Sequence, residues 1–90
     1  MSERMRKELG ERIRFLREQQ GLTQTTFASM INMDRGYYGK IESGECNPTL
    51  DKLESIADGL GISLSCMTRG VCEKTSSEPL QGSNEYYFLG

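Results

Sequence analysis

Apolar residues recur along the first part of the chain with the spacing of amphipathic helices. Between residues 3 and 20, Leu9, Ile13 and Leu16 follow one another at i, i+4 and i+7, with charged residues on the other face. Gly21 comes next, where glycine suits the left-handed end of a helix. The pattern predicts a first helix over residues 3–20.

A second helix is indicated by Thr23, whose hydroxyl is a good N-cap. Phe27, Ala28 and Ile31 then fall on one face of this helix and are expected to point inward. We expect it to end near residues 32–33.

A third, short helix is predicted from Arg35 to Ser43, with Asp34 as its N-cap and Gly44 closing it. Tyr38 and Ile41 lie three apart and are expected to point inward, so that Arg35, Gly36, Gly39 and Lys40 face outward.

Two further helices complete the pattern. Thr49 is expected to cap a fourth helix, which Gly61 ends, and Ser63 a fifth that fades by Gly70. The apolar stripe of the fourth helix comprises Leu50, Leu53, Ile56, Ala57 and Leu60. Residues 1–69 are therefore predicted to form one all-α domain of five helices.

Residues 70–90 have a different composition, rich in Ser, Gly, Glu and Thr without apolar periodicity until the aromatic run at 86–88. Three interpretations of this C-terminal tail stay open. It is disordered, it forms a short strand or other segment that docks on its own or a partner's core, or it is a vector-derived extension.

The charge distribution is uneven although the net charge is only −2. Residues 1–40 carry eight basic and five acidic residues, a balance of +3, whereas residues 41–90 carry three basic and eight acidic residues, a balance of −5. Such a split is typical of a protein that turns one face toward a polyanion. Because the sequence pI is near 5.1, any contact with nucleic acid is expected to be local.

The residue inventory argues against most enzyme classes. The chain has no His, and its three cysteines (Cys46, Cys66 and Cys72) lack the spacing of a zinc site. We expect reduced thiols, no metal, no cofactor and no catalytic residue. With no apolar run long enough for a membrane helix and no signal peptide, the chain is expected to be cytoplasmic.

The segment 23–48 has the layout of a helix-turn-helix, a helix followed by a tight turn and a second short helix. A major groove about 12 Å wide admits one α-helix, whose N-terminal side chains meet the base edges. Phe27, Ala28, Ile31, Tyr38 and Ile41 would support that helix from behind.

Residues 9–68 resemble the Cro/repressor (XRE-type) helix-turn-helix family, five-helix DNA-binding domains of the lambda-repressor-like fold. The matching residues are Leu22-Thr23-Gln24, Phe27-Ala28, Tyr37, Ile41-Glu42, Gly44, Asn47-Pro48-Thr49-Leu50, Ile56-Ala57, Leu60-Gly61 and Ser63-Leu64-Ser65. The chain departs from the family at Tyr38, where a small branched aliphatic residue is usual, and at Gly36 and Gly39, which replace polar base-reading residues.

The resemblance implies roles for individual residues. Arg35, Gly36 and Lys40 match positions that read base edges. Arg17 and Glu42 match a structural pair that joins the first helix to the end of the third. The positions that contact phosphate are matched by Gln24, Tyr37, Ser43, Gly44 and Asn47.

The sequence and the resemblance favour two functions. The first is a sequence-specific regulator of transcription, a repressor that binds a palindromic operator in double-stranded DNA as a homodimer. The alternative is an antitoxin-like or other protein-binding module that docks a protein partner through Tyr86-Tyr87-Phe88.

Overall fold

In a computed structural model that describes residues 1–71, the chain folds into five α-helices, and no strand occurs in that part of the chain. Both the strand and the disorder considered for the tail fall largely on residues 72–90, outside the described residues. The boundary between a DNA-binding domain of residues 1–69 and a tail of residues 70–90 likewise stays a prediction. The helices are α1 (Glu3–Gln19), α2 (Gln24–Met30), α3 (Arg35–Ser43), α4 (Leu50–Leu60) and α5 (Leu64–Thr68).

All five helices begin with the same local device. An oxygen of the N-cap side chain accepts a hydrogen bond from the backbone N–H three residues later, so one otherwise unpaired donor of the first turn is satisfied. Four of these caps were predicted and are confirmed; the one at Ser2 was not. The N-cap residues are Ser2, Thr23, Asp34, Thr49 and Ser63.

The turn between α2 and α3 begins earlier than the sequence pattern indicated. The expectation that α2 continues to residues 32–33 is wrong: it ends at Met30, and Ile31 is its C-cap. Asn32 adopts φ +55°, a left-handed conformation that asparagine tolerates better than most residues and that reverses the chain. Met33 is then buried, with its N–H donated to the Ala28 carbonyl at 2.9 Å.

The core lies between α1 and the helix-turn-helix, with α4 and α5 closing it. Phe27 and Tyr38 are both fully buried, and their ring centroids lie 5.4 Å apart at a tilt of 56°. Such tilted pairs contribute about 0.5–1.5 kcal/mol beyond burial of their area. Ile41 and Ala28 are buried beside them as predicted, so the third helix is fixed from its inner side.

α1 and α3 approach each other backbone to backbone at Gly10. A Cβ at this position would lie 2.2 Å from the carbonyl oxygen of Glu42, a distance that no real contact has. At the end of α3, Gly44 adopts φ +79° and packs against Lys7 of α1. The end of the third helix is therefore held against α1.

Candidate nucleic-acid interface

The outward face of α3 carries two cationic side chains and two glycines, at which the helix backbone has no side chain. Arg35, Gly36 and Lys40 are exposed, whereas Tyr38 and Ile41 on the opposite side of the helix are buried. Neither the Arg35 nor the Lys40 side chain makes a hydrogen bond or an ion pair within residues 1–71. Both cations are therefore available to acceptors outside the protein.

The two glycines of α3 are not required by the packing of the protein. A Cβ on Gly36 would meet only the Asp34 carboxylate, at 3.2 Å, and one on Gly39 only the Gln24 side-chain oxygen, at 3.6 Å. Each glycine in a helix interior costs about 1 kcal/mol relative to alanine. No packing contact within the described structure offsets this loss of helix stability.

Behind α3 lies a buried polar cluster centred on Glu42. Arg17 of α1 donates Nε to Glu42 Oε2 at 2.7 Å and Nη2 to Oε1 at 3.1 Å, which is a bidentate ion pair. The Tyr38 hydroxyl donates to Oε2, and Gln24 Nε2 donates to Oε1 at 2.9 Å. Arg17 also donates Nη1 to the Leu22 carbonyl at 2.5 Å. The Glu42 carboxylate thus joins α1, α2 and α3.

The cluster changes the ionisation of its members. Burial alone would raise the pKa of Glu42, but the hydrogen bonds from Arg17, Tyr38 and Gln24 outweigh it and lower that pKa below the ordinary glutamate value. Burial, followed by the bond to Glu42, raises the pKa of the Tyr38 hydroxyl. The hydrogen bond to Glu42 raises the pKa of Arg17 despite its burial. At neutral pH the cluster is therefore a carboxylate, a guanidinium and a neutral phenol.

Gln24 is held by this cluster at the start of α2, beside the third helix. Its amide nitrogen carries two hydrogens, of which one is donated to Glu42. The residue is only half-buried, and no described residue accepts the second hydrogen. The geometry keeps a donor at the junction of α2 and α3.

Two further residues for which the resemblance implies phosphate contact are Tyr37, on α3, and Asn47, after its end. Tyr37 is half-buried, and its ring packs against the hydrophobic core. Asn47, in the loop after α3, is exposed and its side chain makes no hydrogen bond within the described residues.

Ser43 and Gly44 are placed differently from the other residues for which the resemblance implies phosphate contact. The Ser43 hydroxyl lies within hydrogen-bond distance of the Lys40 carbonyl, at 3.1 Å, and of the Glu45 carboxylate, at 2.8 Å. Gly44 is buried, and its N–H is donated to the Ile41 carbonyl at 3.2 Å. The structure therefore does not bring a free donor of Gly44 to the surface, and it sets a carboxylate beside Ser43.

The sequence pattern missed that Tyr38 and Gln24 join the Arg17–Glu42 pair. For Tyr38 a signal was present, because Tyr38 and Glu42 stand at i and i+4 on one helix. The tyrosine that departs from the family pattern thus fills the core with its ring and satisfies the buried carboxylate with its hydroxyl.

Comparison with known proteins agrees with this geometry. The sequence profile of the helix-turn-helix family matches residues 13–65, which contain α2, α3 and the Glu42 cluster. The chain belongs to the Cro/repressor (XRE-type) helix-turn-helix family. This family is one of DNA-binding regulators and not of enzymes, and the chain is accordingly a DNA-binding regulator.

Individual relatives come from bacteria and phages. The chain is 47% identical to "Control protein C.MunI" of a Mycoplasma species over 57 residues, 62% of this chain and 77% of that protein. It is 39% identical to the "Immunity repressor protein" of Bacillus phage phi105 over 59 residues, 66% of this chain and 41% of the repressor.

A solved structure of similar fold is that of the restriction-modification controller protein C.AhdI from Aeromonas hydrophila. The two chains are 34% identical with a TM-score of 0.66, covering 68% of this chain and 92% of the controller.

Among the helices of residues 1–71, none is long and apolar enough to cross a membrane. Within the same residues, no group of three or more His, Cys, Asp or Glu side chains is arranged to hold a metal ion.

Proposed function

We propose that this protein is a sequence-specific regulator of transcription that represses by binding a palindromic operator as a homodimer, with α3 in the major groove. The single observation that carries the proposal is the exposed face of α3, with two unpaired cations and two bare glycines, held from behind by the buried Glu42 cluster. A helix that enters a groove needs this rigid support, because a misplaced helix loses its base contacts.

Base reading falls to Arg35, Gly36 and Lys40. Arg35 stands at the first position of α3, where a guanidinium can donate two hydrogen bonds to O6 and N7 of guanine. Gly36 presents backbone alone and so lets the helix come close to a base edge. Lys40 lies one turn further and reaches a base or a neighbouring phosphate.

Phosphate contacts position the domain on the duplex. The remaining amide hydrogen of Gln24 is suited to this role, as are the Asn47 amide and the Tyr37 hydroxyl. Ser43 and Gly44 complete the set of phosphate-contacting residues that the resemblance implies. We expect these two residues to contribute less to phosphate binding, because the Glu45 carboxylate lies beside Ser43 and the Gly44 N–H is bonded within the protein.

A homodimer follows from the small size of one such unit. Single DNA-binding modules bury about 600–1,000 Å² of surface, and tight binding is reached when two units occupy half-sites about one helical turn apart. We place the dimer surface in the α4–α5 region and the segment from Gly70 onward, with residues 1–69 as the DNA-binding unit. The repressing role is supported by the similarity to the phage relative, an immunity repressor.

Selection of binding sites from random duplexes tests this proposal. The full chain should enrich one palindromic sequence, and the complex should weaken steeply with salt. Arg35→Ala should then relax preference at one position of each half-site, costing about 1–3 kcal/mol, whereas Lys40→Ala should do the same or weaken all sequences uniformly. Arg4→Ala, an exposed arginine of α1 that lies outside both α3 and the proposed dimer surface, is the matched control. Absence of any enriched sequence would refute the proposal.

The alternative of a protein-binding module depends on Tyr86-Tyr87-Phe88, which lies outside the described residues. It stays a prediction, and it is compatible with DNA binding. Purification of the full chain with a second protein from its native cell would support it.

A further inference from the structure

A shallow groove runs along α1 on the side away from α3. Its walls are Glu8, Glu11, Arg12 and Phe15 of α1 and residues 69–71 after α5, and its volume is about 390 Å³. This volume is near the lower end for sites that hold a small ligand, about 300–1,000 Å³. Phe15 is 52% exposed although it is a large aromatic residue, so the groove has an uncovered apolar wall.

The groove also contains an unsatisfied donor. Arg12 donates Nη2 to the carbonyl of Cys66 at 3.2 Å, which ties α1 to α5. Its Nε atom is buried and has no hydrogen-bond partner within residues 1–71. Buried polar atoms of folded proteins are nearly always paired, so an acceptor is expected at this point.

The next part of the chain leaves from the groove itself. Val71, the last residue that the structure describes, is one of the groove's lining residues. The following nineteen residues have a net charge of −2, from Glu73, Glu78 and Glu85 against Lys74, and they contain the aromatic run Tyr86-Tyr87-Phe88 directly after Glu85. One segment thus offers an acceptor and several apolar side chains together.

The charges of the groove are compatible with this segment. Arg12 and Arg69 are cationic, and Arg69 makes no ion pair within the described residues. Glu8 and Glu11 also line the groove, and Glu8 is paired with Arg4 at 3.1 Å. Within the described residues, the groove therefore has a cation without an ion-pair partner at Arg69, two residues before Val71.

The connecting chain is long enough. Glu85 stands fourteen positions after Val71, and a chain of that length spans up to roughly 46 Å when extended. Attachment at the edge of the groove gives the segment a local concentration in the millimolar range, so weak contacts suffice for docking.

We propose that this groove is the docking site of the chain's own segment Glu85–Leu89. The aromatic side chains pack on Phe15 and Val71, and the Glu85 carboxylate pairs with the guanidinium groups of Arg12 and Arg69 at the groove. Positions 8, 11, 12 and 15 lie on the side of α1 opposite to Gly10, which contacts α3. Docking therefore leaves the face of α3 uncovered, and the inference does not depend on the proposed function.

Nuclear magnetic resonance of the full chain without DNA tests the proposal. Cross-relaxation is expected between the ring of Phe15 and the side chains of residues 86–89. Phe15→Ser should move the amide shifts of residues 85–89 toward those of the urea-unfolded chain. Met30→Ser, which removes an equally exposed apolar side chain (55%) from α2, should leave them unchanged. Tyr86→Ser combined with Tyr87→Ser leaves the sequence of helices α1–α5 unaltered. This double variant should nevertheless shift the resonances of Arg12 and Phe15.

Three results would overturn the proposal. The first is a segment 85–89 whose shifts in the unaltered chain already equal those of the unfolded chain. The second is contact of the segment with another surface of the domain. The third is cross-relaxation seen only between differently labelled copies in a mixed sample, which would assign the groove to the segment of a second copy.

Discussion

Replacing both glycines of α3 with alanine is predicted to stabilise the protein and weaken its binding to DNA. At Gly39 the added methyl group would meet only the Gln24 side-chain oxygen, at an ordinary contact distance of 3.6 Å. The gain in helix propensity of about 1 kcal/mol is therefore retained there. At Gly36 the gain is partly offset, because the methyl group lies 3.2 Å from the capping carboxylate of Asp34.

The net stabilisation of Gly36→Ala/Gly39→Ala should be about 1 kcal/mol or somewhat more. In a domain of this size that corresponds to an increase in Tm of about 4–8 °C in thermal unfolding followed by circular dichroism. The affinity for the selected operator should decrease, because in the proposed docking of α3 the methyl groups would stand where the helix backbone approaches the bases. Loss of one good base contact corresponds to about 1–3 kcal/mol, or roughly 5- to 150-fold in Kd.

Two measurements on the same sample decide this prediction. Fluorescence anisotropy with a labelled operator gives Kd, and the unfolding curve gives the stability, so a loss of binding cannot be ascribed to misfolding. The single variants separate the contribution of each position. Unchanged or tighter binding by the double variant would refute the reasoning that bare backbone on α3 serves close approach to DNA.

Three further predictions concern the buried contacts. Glu42→Gln should destabilise the domain by about 3–5 kcal/mol in urea unfolding, because it leaves the Arg17 charge buried without a counter-charge. The exposed Glu54→Gln should change stability by less than about 0.5 kcal/mol, and an equal effect of the two would contradict the account. Since the folded-state pKa of Glu42 is lowered, its contribution is fully present above the ordinary value of about 4.3 and is lost as the pH falls through the folded value. The unaltered protein should therefore lose more stability between about pH 5 and pH 2 than Glu42→Gln does, and parallel curves would exclude this role. Gly10→Ala should lower stability by about 1–3 kcal/mol although it improves helix propensity, because its methyl group would overlap the Glu42 carbonyl oxygen. A stabilised variant would show that α1 and α3 are not in backbone contact.

The order and bounds of the helices could be predicted from the sequence because each has its own local signals. α3 and α4 have the predicted bounds, since Asp34 and Thr49 cap their starts and glycines follow their ends. The end of α2 was misjudged, because the apolar pattern continues through Ile31 to Met33 while the helix does not. There the left-handed conformation of Asn32 decides, and the apolar spacing does not show that this asparagine adopts it.

The candidate site was only partly predictable. The outward positions of Arg35 and Lys40 follow from helical periodicity, and the exposure of both residues confirms that geometry. The four-membered cluster at Glu42 and the groove at Arg12 depend on how helices distant in sequence meet. Arg12 contacts Cys66, 54 residues away, and no pattern within one helix contains that information.

The central claim is that the outward face of α3 enters the major groove. The most direct measurement is the change in backbone amide shifts of the full chain as the selected operator is added, with a scrambled duplex as control. The account predicts that operator-specific changes concentrate at Arg35, Gly36 and Lys40 and at Gln24, while the exposed face of α4 changes little. Operator-specific changes confined to α4 and α5, with α3 unaffected, would contradict it.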